Sequence, residues 1–188
     1  LRHCTVAGLL LLAACSASGG TGVSHDRASE RPSPGLSVPD TVAGDSLTLI
    51  GADGRGIVLT AEDIAALPRE SFSFSRHEDN SVFEGPLLLD VLGLAGVPSS
   101  PLHKDQQATA LLITAADGYQ VVLGLGETDP ATRADRIILA DTDDGTPLSD
   151  GDGPFMVVAE GDARAARSPR MVVSIQIIPL GNVGTQGT

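Results

Sequence analysis

Cysteine is almost absent from this chain, and the region it avoids is the informative part. The two cysteines in 188 residues are Cys4 and Cys15. From Ser16 onward the polypeptide therefore offers no disulfide, no thiolate nucleophile and no cysteine–metal bond. Tryptophan is missing, and one Tyr and four Phe are the only aromatic side chains. That argues against stacking platforms for bases or sugars. Basic charge is scarce too: 12 Lys and Arg stand against 24 Asp and Glu, a formal net charge of −12. Nucleic-acid backbones need a concentrated basic face, so nucleic acid is not expected as a partner. No apolar run is long enough to cross a bilayer as a helix. Nor is there a Gly-x-Ser-x-Gly elbow, a P-loop or a dinucleotide fingerprint, which removes support for the chemistries those motifs serve.

What is present begins at the first residues. Arg2 and His3 precede an apolar stretch from Val6 to Ala14, and Leu12-Ala13-Ala14-Cys15 closes it. That is the layout of a secretory signal. The ending resembles the lipobox of bacterial lipoproteins, in which the peptide is cut before the cysteine and the thiol carries the lipid. The resemblance implies a signal peptide over residues 1–14 and lipidation at Cys15. It further implies an exported protein held at a membrane through its lipid, in the periplasm or at the cell surface. The rest of residues 15–45 is rich in Ser, Gly and Pro without an apolar period, the composition of a flexible tether. Residues 46–180 alternate apolar runs with turn signals, as one domain should. Residues 181–188 form a short polar tail.

Within that domain, Leu47–Ile50 and Ile57–Leu59 predict two strands joined across Ala52-Asp53-Gly54. Thr60 is placed as an N-cap, with Asp63 at N3 and Pro68 ending the short helix. Phe72 and Phe74 alternate with serines, the period of a half-buried strand. Pro86 suits the first turn of a helix from Leu87 to about Leu94. A hairpin is expected around Asp117-Gly118, joining 110–114 to 119–123. Further strands are expected at 136–140, 155–159 and 171–178. About eight short strands and two or three short helices make an α+β domain, mixed but mainly antiparallel, without the regular alternation of a doubly wound sheet.

Two stretches invite a chemical reading. Asp141 to Gly153 is dense in Asp and Gly and has oxygen ligands to offer calcium. Its spacing departs from the EF-hand and no Glu stands at the twelfth position. Asp and Gly are also what tight turns require, and a solvated turn is the better reading. The segment from Gly161 to Arg170 is the exception in an acidic chain, with Arg164, Arg167 and Arg170 beside Ser168. Guanidinium groups, a hydroxyl and nearby N–H groups suit an anion such as phosphate, while the alternative is a loop paired with its own acidic surroundings. His77 lies beside Arg76, Glu78 and Asp79 at a strand end, either as a pocket residue or as an exposed turn histidine.

In order along the chain, several stretches resemble the molybdopterin-binding domain of the sulfite oxidase family. They are 47–51, 60–68, Phe83-Glu84-Gly85-Pro86 running on to Leu92, 94–98 and Ala116-Asp117-Gly118-Tyr119. After these come 138–140, Asp144-Gly145-Thr146-Pro147-Leu148, Gly153-Pro154-Phe155 to Gly161, and Arg167-Ser168-Pro169-Arg170. The resemblance implies a molybdopterin cofactor in a groove, with Arg167, Ser168 and Arg170 as contacts to its phosphate and Arg76 and His77 near its metal. One departure is chemical. Catalytic members place a cysteine thiolate on molybdenum after the strand corresponding to Phe72–Ser75, where this chain reads Arg76-His77-Glu78-Asp79-Asn80. Neither His77 nor Ser75 replaces that soft anionic donor. The expectation is therefore an accessory protein binding a small anion or pterin, or docking an envelope partner, with no catalytic and no metal-ligating residue assigned. A molybdopterin-dependent oxidoreductase with non-cysteine ligation is the alternative, and a structural envelope lipoprotein a third reading.

Overall fold

A computed structural model describes residues 45–76, 79–104 and 106–181 of the chain. The expected signal peptide, Cys15, all but the last residue of the tether, His77 and residues 182–188 lie outside the described residues.

The local rules of the sequence hold over the first third of the domain. β1 (Ser46–Ile50) pairs antiparallel with β2 (Gly56–Thr60), and Gly54 takes the turn with φ 78°. Thr60 caps α1 (Ala61–Ala65): its Oγ1 accepts from the Asp63 N–H (3.2 Å), and Asp63 Oδ2 accepts from the Thr60 N–H (2.8 Å). β3 (Arg69–Arg76) buries Phe72 and Phe74 between exposed serines. β3 pairs along its whole length with β4 (Asp79–Pro86), a strand not expected from the sequence. Pro86 consequently ends a strand, and α2 (Leu88–Gly93) begins after Leu87 with Leu88, Leu89, Val91 and Leu92 buried.

β5 (Thr109–Ala115) and β6 (Gln120–Gly124) form the expected hairpin. β7 (Ile137–Ala140) pairs with a later strand across the acidic stretch, which is itself folded. Within it β8 (Thr142–Asp143) and β9 (Thr146–Pro147) make a miniature hairpin. Asp144 (φ 47°) and Gly145 (φ 75°) occupy its two turn positions, the left-handed pair that an Asp-Gly hairpin turn requires. β10 (Met156–Ala159) returns to β7, and β11 (Val172–Pro179) closes the domain. Eleven strands are thus present among the described residues, with two α-helices and two 3-10 turns, at Leu125–Thr128 and Ala165–Arg167.

The strands form three sheets ordered β2-β1-β11-β5-β6, β10-β7 and β3-β4-β8-β9. Only the β1–β11 pairing is parallel; the rest are antiparallel. The β7–β10 ribbon is buried on both faces, and the two-residue period of a strand divides its side chains between two cores. Leu139, Ile137, Val157 and Ala159 join the larger core with the five-stranded sheet and α2. Ile138, Ala140, Met156 and Val158 join the smaller one with Phe72, Phe74 and Phe83. Strand β4 crosses β7 so closely that a Cβ on Gly85 would lie 2.0 Å from the Leu139 carbonyl oxygen. Glycine is obligatory there.

Candidate functional site

At the far end of the β3–β4 hairpin a groove of about 1210 Å³ opens between three segments. One wall carries Ser75, Arg76, Asn80 and Ser81 from the hairpin. Another carries Asp143 and Asp144 from the β8–β9 turn together with Asp152. The third is the arginine-bearing segment from Ala163 to Arg170. Its volume suits a small organic ligand or cofactor.

Arg76 ends β3. It donates to both carboxylate oxygens of Asp152 (2.7 and 3.1 Å), and its guanidinium carbon stands 5.6 Å from the centroid of the buried Phe83 ring. Arg170 donates to the same Asp152 at 3.2 Å, as does the Ser149 hydroxyl. The Arg76 hydrogen bonds hold the Asp152 carboxyl below the usual aspartate range against the opposing effect of burial, with help from Arg170 and Ser149. Ser168 is only 5 % exposed, and its Oγ is buried without a hydrogen-bond partner among the described residues. Asp143 Oδ1 is in the same condition. Arg164 is exposed and makes no ion pair among the described residues.

The arginine-bearing wall is fixed from behind. The Tyr119 hydroxyl, on the β5–β6 hairpin, donates to the Ala166 carbonyl (2.7 Å). The Val157 N–H donates to the Pro169 carbonyl, tying the segment to the central ribbon. Met171 then turns the chain into β11 with φ 48°, left-handed backbone that a side chain as bulky as methionine seldom adopts. Its N–H is held by the Asp152 carbonyl (2.9 Å) and its own carbonyl by the Ala116 N–H (2.8 Å).

Of the residues expected to hold a ligand, the structure brings Arg76, Ser168 and Arg170 together in this groove. Arg167 is not among the groove-lining residues. Its guanidinium is occupied by both oxygens of Asp162 (3.0 and 2.7 Å) and by Glu127 (2.7 Å). Burial opposes ionisation of Glu127, but the Gly124 N–H and Arg167 outweigh it and leave that carboxyl below its ordinary value. Arg167 therefore anchors the segment, with each of its three guanidinium nitrogens donating to a carboxylate. His77 lies outside the described residues. The sequence reading includes Arg164 in the anion-binding segment, but takes Asp143, Asp144 and Asp152 as parts of a solvated turn rather than as groups lining a groove. The acidic ones sit in a stretch whose composition is that of a turn, and Asp152 meets Arg76 across 76 positions of sequence.

The donor set decides how a molybdenum cofactor fits. The domain has no cysteine, and its sulfur atoms are the thioethers of Met156 and Met171. Met156 is fully buried in the smaller core, with Arg76 Nη1 at 4.0 Å from its sulfur. A neutral thioether is a poor substitute for a thiolate donor. The described residues thus do not fit a protein-ligated molybdenum centre, whereas Arg164, Arg170 and Ser168 do suit an anionic group.

No family model matches the chain, and no curated protein sequence matches it. Among solved structures, the chain is similar to the sulfane dehydrogenase SoxCD from Paracoccus pantotrophus, at 17% identity and a TM-score of 0.53. The match covers 71% of this chain and 38% of that one, so the chain spans well under half of its length. At that identity the likeness concerns architecture: the fold is a mixed, mainly antiparallel α+β domain like the molybdopterin-binding domain of the sulfite oxidase family.

Proposed function

We propose that this chain is an exported, lipid-anchored accessory protein whose molybdopterin-binding-like domain binds a small ligand through an anionic group, without redox chemistry of its own. The observation that carries the reading is that one groove is lined both by Arg164, which makes no ion pair among the described residues, and by Ser168, whose buried hydroxyl has no hydrogen-bond partner among them. An unmet buried hydroxyl costs about 1–3 kcal/mol, which a bound acceptor recovers. Export and anchoring rest on the Leu12-Ala13-Ala14-Cys15 ending and the apolar run before it. The accessory role rests on the missing thiolate.

Thermal unfolding with and without inorganic phosphate or pyrophosphate tests the ligand, since binding to the native state alone raises the apparent melting temperature. We expect a rise of several degrees at millimolar anion, lost in the double variant Arg164→Ala, Arg170→Ala. An equal rise in that variant removes the groove from consideration. Metal analysis of protein purified from its native host tests the accessory role. Stoichiometric molybdenum with pterin would favour the oxidoreductase alternative and overturn this one. Metabolic labelling with palmitate, compared between wild type and Cys15→Ser, tests the anchor; label retained in the variant refutes it.

A further inference from the structure

Among the described residues, the charges lining the groove balance. Arg76, Arg164 and Arg170 face Asp143, Asp144 and Asp152, and this restricts what enters more than the arginines alone suggest. Asp152 already satisfies Arg76 and Arg170. Asp144 accepts through Oδ1 from the Val82 N–H (2.8 Å). The groups left unmet among the described residues are of opposite character. Arg164 and Ser168 have donors to give. Asp143 Oδ1 has no donor to accept from. A buried carboxylate oxygen without a donor is costly to keep. A purely anionic ligand repairs the first end and worsens the second, because it adds negative charge beside three carboxylates.

We propose that the ligand is amphoteric: a phosphate or similar anion at Arg164 and Ser168, and a protonated amine or amidine-like N–H group donating to Asp143. The proposal rests on the anion-binding reading of the groove and names the ligand class for it. Charge-assisted hydrogen bonds form at both ends, each stronger than its neutral counterpart. The carboxylates contribute selectivity by weakening simple anions, which then bind only at millimolar concentration, relative to anions that carry an amine. The ligand's anion lies toward the arginine-bearing segment, which carries Arg164 and Ser168. Its amine lies toward the β8–β9 turn.

Isothermal titration of the full chain with two matched series tests this. One series is ω-aminoalkyl phosphates of two to six carbons; the other is alkyl phosphates of the same lengths without the amine. At pH 7 at least one aminoalkyl phosphate should bind tenfold or more tightly than its amine-free partner. Asp143→Asn should bring the two to within threefold. The ligand comparison on wild-type protein needs no variant to fold. If alkyl phosphates bind as well as or better than aminoalkyl phosphates at every length, the amphoteric assignment is overturned while anion binding stands. If neither series binds, both readings fall. A tenfold preference that survives in a folded Asp143→Asn protein removes Asp143 from the amine-binding end.

Discussion

At the scale of single residues, Asp152 shows how a carboxylate organises a groove that its sequence neighbours do not announce. Two guanidinium groups and a hydroxyl converge on it, and its carbonyl holds the N–H of Met171. Its folded pKa lies below the ordinary value of 3.8. The associated stability is then fully present above the unfolded pKa and is lost as pH falls through the folded one. Glu160, bound by Arg136, and Glu127 behave alike from an ordinary value of 4.5. The melting temperature should therefore stay level from pH 7 to about 5 and fall below that, as carboxylates near these values begin to protonate. Asp152→Asn should cost about 1.5–3 kcal/mol at pH 7, the worth of hydrogen bonds to a charged group. Its penalty relative to wild type should shrink toward pH 3, by calorimetry at each pH. A constant penalty across that range would show that the ion pairs contribute nothing. At this scale the arginines were legible as a group, because three lie close together in an otherwise acidic chain. Their division of labour was not. Arg167 and Arg164 are three positions apart in sequence, yet one is locked by nearby Asp162 and by the distant Glu127 while the other makes no ion pair among the described residues, a difference that spacing along the chain does not reveal.

At the scale of elements, legibility followed how local the cause was. The Thr60–Asp63 capping box and the Asp117-Gly118 hairpin are set within a few residues, and both occur where expected. Strand β4 was missed because Asp79-Asn80-Ser81 carries turn residues and Pro86 suits a helix start. Its pairing with β3 is what makes it a strand. The fit of β4 against β7 supplies the sharper test. Gly85→Ala forces a methyl group against the backbone of Leu139 and Ala140, which cannot yield as a flexible side chain can. Overpacking of this kind costs about 1–3 kcal/mol and sometimes more. Thr60→Ala, at an exposed cap, should cost about 1 kcal/mol. Urea unfolding should rank the two in that order. An undiminished midpoint for Gly85→Ala would show that β4 and β7 are not so closely apposed in solution.

At the scale of the molecule, fold class was readable from the spacing of apolar runs, but the layering was not. Ile137-Ile138-Leu139-Ala140 and Met156-Val157-Val158-Ala159 are continuous apolar runs because both faces of their ribbon are covered. A single sequence does not say what covers them. The shared ribbon has a thermodynamic consequence. Neither core can be dismantled without exposing one face of β7 and β10, so the two should unfold together as a small cooperative domain does. Tyr119 is the only tyrosine in a chain without tryptophan, and it sits beside the five-stranded sheet, giving an emission signal from that side alone. Far-UV circular dichroism reports all three sheets. The two probes should yield one coincident urea transition. Leu139→Ala, facing the larger core, and Ile138→Ala, facing the smaller, should each lower the midpoint of both signals together. The expected cost is about 2–5 kcal/mol apiece, as for large-to-alanine changes at fully buried sites. If Ile138→Ala shifted the dichroism while leaving Tyr119 emission in place, the β3–β4 sheet would be melting on its own. The groove, which takes wall residues from the β3–β4 hairpin and the β8–β9 turn, would then be formed only while that sheet stays docked.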